Sequence, residues 1–320
     1  MKIIIVTPQP PGSTLGNAIT ANRWAAILRG LGHDVVLAMR WVPGNEKCDV
    51  LVALHARRSY ASIQQFRQSD PVRPLIVALT GTDLYGDLPA GDLEALQSLE
   101  LATRIIVLQE SACEELPEKV RPKVAVIYQS AVAPSNPRQP REDCFEVCVL
   151  SHLRDVKDPL RAALAVRQLD SASRVRLLHA GRALSSDWEE KAREEERINP
   201  RYVWLGDQPH NEAMQLLSGS RLLVLSSLME GGASVIAEAV VSGVPVLCSK
   251  IPGNIGMLGR DYRGYFPRRS HADLGALLRL AEMEQRFLEA LRQRVLALQP
   301  RFAPEAERAS WSQLLSNLRI

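Results

Sequence analysis

The sequence predicts an α/β protein made of two doubly wound, parallel-sheet domains in tandem. Three observations carry this expectation. Short apolar runs alternate with longer amphipathic stretches, the pattern of βαβ units. The alternation pauses once, over Val132–Asp143, a segment with three prolines and no apolar periodicity. A length of 320 residues suits two domains of roughly 150 residues each.

In the first half, strands are expected at Ile3–Thr7, Asp34–Met39, Val50–Leu54, Leu75–Leu79, Arg104–Leu108 and Val124–Ile127. The first helix would hold Thr20, Trp24, Ile27, Leu28 and Leu31 on one face, at helical spacing, and Gly32-His33 stops it. Val132–Asp143 reads as a linker. The alternation restarts with strands at Glu146–Leu150, Arg176–Ala180, Tyr202–Leu205, Leu222–Leu225 and Val244–Cys248. Trp188–Arg197 is charge-dense and reads as a solvated helix, whereas Trp311, Leu314, Leu315 and Leu318 form an apolar stripe after Pro304. The expected organisation is therefore a first domain over residues 1–132, a linker over 133–143, a second domain over 144–300, and a C-terminal helix over 301–320 that packs back on the domains. Two such domains would face a cleft, with ligands beyond the carboxyl ends of the strands.

Composition narrows the function classes. The hydrophobic share is 46% and the 39 basic residues are interspersed with 36 acidic ones, a net charge of +3. That balance leaves no nucleic-acid footprint. No apolar stretch approaches the roughly 20 residues needed to span a bilayer, so no membrane insertion is expected. Met1-Lys2 leads straight into Ile3–Val6, which is too short for a secretory apolar region. The five cysteines are odd in number, and Cys144 and Cys148 match no zinc or redox spacing. A cytoplasmic protein with free thiols is the expectation. There is no H-E-x-x-H, paired C-x-x-C or D-x-D, so no metal or other cofactor is expected.

The most informative segment is Leu225–Cys248. A strand runs into Ser226–Glu230, then Gly231 and Gly232, a helix bearing Glu238, a Gly243 stop and another strand. Backbone amides at a glycine-opened helix start can cradle a phosphate, because four amides there lack intrahelical partners and the helix dipole favours anions. Glu230 stands before that helix, and Glu238 two turns on can accept hydrogen bonds from a ribose. Such an element suits a nucleotide sugar; otherwise it is a plain strand–turn–helix with Glu238 solvated. Arg154 and Lys157 follow the first strand of the second half and offer a fork and a point charge to a diphosphate.

In the first half, Gly12, Gly16 and Asn17 could present amides to a diphosphate, or belong to a proline-rich turn without a ligand. His55, Arg57 and Arg58 lie just past a strand as an anion pocket or as a solvated turn. In Thr80–Tyr85, Asp83 either acts as a base or orients a sugar hydroxyl, or it caps the next helix.

Together these pieces resemble the retaining-type, two-Rossmann-domain nucleotide-sugar glycosyltransferases of family four, which have the GT-B fold. The shared features are the E-x7-E element ending in Gly243-Val244-Pro245-Val246, the Arg154-x-x-Lys157 pair and the Gly12–Asn17 loop. GNAITANRWAAILRGLGHDV, LVALHARRS, LIVALTGTDLY and SHLRDVKDPLRAA further resemble the selenosugar synthases of selenoneine biosynthesis. That likeness implies an enzyme joining a UDP-sugar, typically UDP-N-acetylglucosamine, to selenophosphate with release of UDP. It also implies cooperation with enzymes that make selenophosphate and that form selenoneine.

By the resemblance, Glu238 binds the ribose and Glu230 the donor sugar hydroxyls. Arg154, Lys157 and the amides from Gly232 through Ala233 to Ser234 hold the diphosphate, with Gly231 beside them, and Leu205–Pro209 meets the uracil. His55, Arg57, Arg58 and Thr82 would take the acceptor anion, with His55 and Asp83 also candidates for chemistry. The chain departs from the family in having Gly231-Gly232-Ala233 where many members have Gly-Phe-Gly. The first-domain histidine of such enzymes falls on His55 or is replaced by Thr82-Asp83. Two alternatives stand beside this reading: a UDP-sugar transferase with a hydroxyl acceptor, and a non-catalytic nucleotide-sugar-binding protein.

Overall fold

A computed structural model describes residues 1–10, 13, 16–44 and 47–318. Along the chain come β1 (Lys2–Val6), α1 (Gly16–Gly30), β2 (Asp34–Ala38), β3 (Val50–Leu54), α2 (Tyr60–Ser69), β4 (Leu75–Ala78), α3 (Leu93–Leu101), β5 (Arg104–Val107) and β6 (Val124–Val126). Next are β7 (Phe145–Leu150), α4 (Arg161–Arg167), β8 (Val175–Ala180), α5 (Ser186–Ile198), β9 (Tyr202–Gly206), α6 (His210–Ser218), β10 (Leu222–Leu225) and α7 (Ser234–Val241). The chain ends with β11 (Val246–Ser249), α8 (Pro252–Leu258), β12 (Tyr265–Phe266), α9 (His271–Met283), α10 (Gln285–Leu298) and α11 (Pro304–Ser316). It divides into two compact units: Met1–Gln129 with Glu230–Gly232 and Pro304–Ile320, and Ser130–Met229 with Ala233–Ala303.

The first unit is a parallel sheet in the order β2-β1-β3-β4-β5-β6. Successive strand residues point to opposite faces, and both faces are apolar. Ile4, Val6, Leu51 and Val77 meet Ile63 and Phe66 of α2 and Leu99 of α3. Ile3, Ile5, Val52 and Ile76 meet Trp24 and Leu28 of α1. The connection from β5 to β6 contains only 3-10 turns, so it supplies no long helix to cover the second face. Trp311, Leu314, Leu315 and Leu318 pack on that face instead. Each such buried side chain contributes roughly 1.5–3 kcal/mol. Trp311 meets Trp24 edge-on at 5.0 Å, and Trp24 Nε1 donates to the buried Glu307 Oε1 at 2.8 Å.

The second unit is a parallel sheet in the order β12-β11-β10-β7-β8-β9. The sequence reading omitted β12, whose two residues are too few to show a period. The proline-rich segment belongs to this unit. Arg138 holds it there, its amide donating to Ser218 Oγ at 3.2 Å and its guanidinium pairing with the buried Glu146. Among the described residues no helix is long and apolar enough to cross a membrane.

Candidate functional site

In the second unit the strand order reverses between β7 and β10, since the chain adds β8 and β9 on one side and β10 to β12 on the other. Loops leaving the two adjacent strands diverge there and open a crevice at the carboxyl ends. The sequence motifs lie along those stretches of chain: Arg154 and Lys157 follow β7, and the chain after β10 runs through Glu230–Gly232, which count with the first unit, to Ala233. The buried Ser226 joins the loops, its hydroxyl donating to the carbonyls of Lys157 at 3.1 Å and Asp158 at 2.9 Å. The Leu228 amide adds a bond to Val156 O at 2.8 Å. Asp158 turns the chain with a left-handed φ of 45°, and Arg161 grips its carboxylate through two nitrogens, at 2.8 and 3.2 Å. Arg154 is exposed, while Lys157 and Glu238 are half-buried.

Behind the first loop lies His179, a buried residue that the sequence reading passed over. Its Nε2 lies 3.0 Å from Ser151 O and its Nδ1 3.1 Å from the Tyr202 hydroxyl. The carbonyl can only accept, so Nε2 carries the proton and Nδ1 receives the tyrosine O–H. Burial pushes the pKa of His179 down to about 4 against the pull of the Ser151 carbonyl. Gly181 is obligatory beside it: its φ is 155°, and a Cβ would sit 1.8 Å from Ser151 O. His152 was also missed. Its Nδ1 accepts from the Arg182 amide at 3.1 Å. Burial lowers its pKa, and the charges of Arg182, Arg154 and Lys157 act in the same direction against Asp207. Its position past a strand end was the signal available. Leu205–Pro209 begins with the last two residues of β9, an edge strand separated from β7 by β8, and continues into the loop beyond it.

In the first unit the order reverses between β1 and β3. Gly12 lies outside the described residues. Gly16 and Asn17 open α1, and the Ala18 amide donates to Gln9 Oε1 at 3.1 Å, so the chain itself occupies one donor of that helix start. His55 directly follows β3 in the left-handed region, with φ at 72°, and is buried. Its Nε2 lies 2.9 Å from Thr82 Oγ1, and its Nδ1 receives the Arg58 amide at 3.4 Å. Burial lowers the pKa of His55, with the nearby carboxylates of Asp83 and Asp87 opposing and Arg58 and Arg57 assisting.

Two candidates have different surroundings from those the sequence suggested. Asp83 is buried and accepts from the Thr80 amide at 2.7 Å, Thr80 Oγ1 at 2.9 Å, the Ala56 amide at 2.8 Å and the Leu84 amide at 3.2 Å. Both its oxygens are committed to tying the loop after β3 to the loop after β4. Arg57 faces Asp87, with Nε 3.1 Å from Oδ2, so its charge is already balanced. The sequence reading did not include Asp87, although it lies on the same helical segment as Asp83. That segment, Asp83–Asp87, is a π-helical turn, a form frequent at functional sites. Arg58 is exposed.

Gly231 and Gly232 have a steric reason to lack side chains. A Cβ on Gly231 would lie 2.6 Å from the Gly81 amide, and one on Gly232 would lie 2.5 Å from Leu108 Cβ. The glycines that sequence reasoning assigned to phosphate amides are also required by close packing. Ala233 then caps α7, followed by Ser234 at its first turn.

Two six-stranded parallel sheets with flanking helices and these crevice loops define a GT-B fold. HepE of Anabaena, in complex with UDP and glucose, superposes with a TM-score of 0.80 at 15% identity, covering 99% of this chain and 100% of that one. Sucrose-phosphate synthase of Thermosynechococcus elongatus gives 0.78 at 17% identity over 99% and 98% of the two chains. A glycosyltransferase of Rickettsia africae gives 0.72 at 13% identity over 99% of each. Residues 135–295 match the profile of the family described as glycosyl transferases group 1. That match spans half of the chain, and the chain belongs to this family.

Proposed function

We propose that this glycosyltransferase transfers a sugar from a UDP-sugar to selenophosphate, releasing UDP and forming a selenosugar, with UDP-N-acetylglucosamine as donor. The observation carrying the donor half is the Ser226 bridge, which fixes the loop bearing Arg154 and Lys157 against the loop leading to Glu230. In this reading Arg154, Lys157 and the amides from Gly232 to Ser234 hold the diphosphate. Glu238 accepts from the ribose and Glu230 from the donor sugar. UDP and UDP-glucose bound to HepE support this class of donor.

In the reaction, selenium attacks the anomeric carbon and a C–Se bond forms. The bond from that carbon to the diphosphate oxygen breaks, and UDP leaves with the electron pair. The selenium then still carries its phosphoryl group, and water cleaves the Se–P bond to give the selenosugar and inorganic phosphate. Cations placed where this charge develops lower the barrier. Selenophosphate is already anionic, so the step draws little on a protein base, in keeping with the full commitment of Asp83 to backbone amides and Thr80. The exposed Arg58 and Thr82 are the acceptor-side contacts, and the resemblance in LHARRS and TGTDLY points to selenophosphate. The enzyme would work in the cytoplasm beside enzymes that supply selenophosphate and consume the selenosugar, with no metal in the step.

The test is a mass spectrum of products from UDP-N-acetylglucosamine incubated with selenophosphate. A product with the selenium isotope pattern and matching UDP release is expected. UDP release only with sugar or lipid hydroxyls would overturn the selenium half. The pairing of Arg57 with Asp87 favours that second reading, because it removes one cation from the anion pocket.

A further inference from the structure

We propose that Thr82 touches the acceptor and that His55 is its positioning residue, a neutral imidazole that fixes the threonine hydroxyl as a donor. The proposal rests on the glycosyltransferase reading above and deepens it on the acceptor side. It starts from hydrogen-bond bookkeeping at one ring. The Arg58 amide can only donate, and it points at His55 Nδ1. Nδ1 is therefore the acceptor, and Nε2 bears the proton. That proton goes to Thr82 Oγ1, 2.9 Å away. The charged groups around the ring are Asp83 Oδ2, 3.8 Å from Nδ1, and Asp87 Oδ2, 3.9 Å from Nε2, with Arg57 and Arg58 alongside. Neither carboxylate is at hydrogen-bonding distance, so the ring donates to the threonine.

A hydroxyl that accepts from His55 still has its own proton to give. No other described residue hydrogen-bonds to Thr82 Oγ1, and Thr82 is exposed whereas His55 is buried. The ring thus cannot reach a ligand itself, but it sets the direction of the group that can. The backbone there is strained: His55 holds a left-handed φ of 72°, a conformation that a non-glycine residue keeps only where the surroundings over-determine it. Thr82 O–H and the exposed Arg58 together present a neutral donor and a cation, a pair suited to an oxyanion of the acceptor.

The experiment compares Thr82→Val, Thr82→Ser, His55→Asn, His55→Gln and the double variant Thr82→Val/His55→Asn. Asn tolerates the left-handed backbone but is too short to reach Thr82, and Gln restores a donor. Thr82→Val and His55→Asn should each lower kcat/KM for selenophosphate about 10-fold, as for loss of one positioned hydrogen bond, with UDP affinity unchanged. The double variant should be no worse than either single one, and Ser and Gln should recover most of the loss. Multiplicative losses in the double variant would overturn the relay. So would a His55→Asn defect far deeper than that of Thr82→Val, which would make the ring itself the reacting group.

A second readout needs no turnover. Nitrogen-15 spectra of the ligand-free protein should show His55 as the neutral Nε2–H tautomer at pH 7, and titration with inorganic phosphate should be weakened by Thr82→Val. An Nδ1–H tautomer, or phosphate binding indifferent to Thr82, would sink the proposal even if the enzyme is active. Absence of turnover with every acceptor, together with the expected spectra, would instead sink the proposed reaction and leave the relay standing.

Discussion

Ser226 and Ser227 are adjacent, chemically identical and both buried, yet the structure assigns them opposite energetics. The Ser226 hydroxyl bridges Lys157 O and Asp158 O at 3.1 and 2.9 Å. The Ser227 hydroxyl is buried with no partner among the described residues. Ser226→Ala removes a net hydrogen bond of about 1 kcal/mol and adds a desolvation penalty for acceptors left behind, about 1–3 kcal/mol. Asp158 O retains the Arg161 amide at 3.1 Å, which keeps the total near the lower end, about 1–2 kcal/mol. For a unit of this size that lowers Tm by about 2–8 °C. Ser227→Ala removes only an unpaired polar atom, so it should be neutral within about 0.5 kcal/mol or slightly stabilising. Thermal unfolding followed by circular dichroism measures both. Calorimetric titration with UDP should then show weaker binding in Ser226→Ala alone, because the Arg154–Lys157 loop loses its tether. Equal Tm losses in the two variants, or an unaltered Ser226→Ala, would refute the reasoning.

Under the proposed reaction, Arg154→Ala should lower kcat by about 100-fold, the scale for losing a preorganised electrostatic donor; steady-state kinetics with a raised KM and intact kcat would make it a docking residue only. Glu238→Ala should weaken UDP and UDP-sugar alike by roughly 1.5–3 kcal/mol, while Glu230→Ala should weaken only the sugar nucleotide; equal losses for both ligands in calorimetry would defeat that division. His179 makes stability depend on pH. Its folded pKa of about 4 lies below the ordinary histidine value, so its contribution is complete above about pH 6.5 and is lost as pH falls toward 4, roughly 3 kcal/mol in all. Urea unfolding at pH 7.5 and 5 should show this, and His179→Gln should flatten the slope; a variant as pH-sensitive as the parent would point to His55 or His152, whose pKa values are lowered by burial in the same direction.

Apolar alternation in the sequence was enough to locate β1 to β11 and the doubly wound class, because strand burial imposes a local period that each segment carries by itself. The strand-end positions of Arg154, Glu230 and His55 were legible for the same reason: they follow directly from where an apolar run stops. Tertiary structure decided the rest. Periodicity showed that the Trp311 stripe must be buried, but only the short β5–β6 connection shows which face lacks a cover and receives α11. Asp83 and Asp87 look alike in sequence. Chain closure surrounds one with backbone donors from two loops and sets the other against Arg57. Ser226 and Ser227 differ by one position along the chain, and only the fold brings the Lys157 carbonyl to one hydroxyl and leaves the other alone. Hydrogen-bond partners distant in sequence leave no periodic trace, since they depend on where two separately formed loops come to rest.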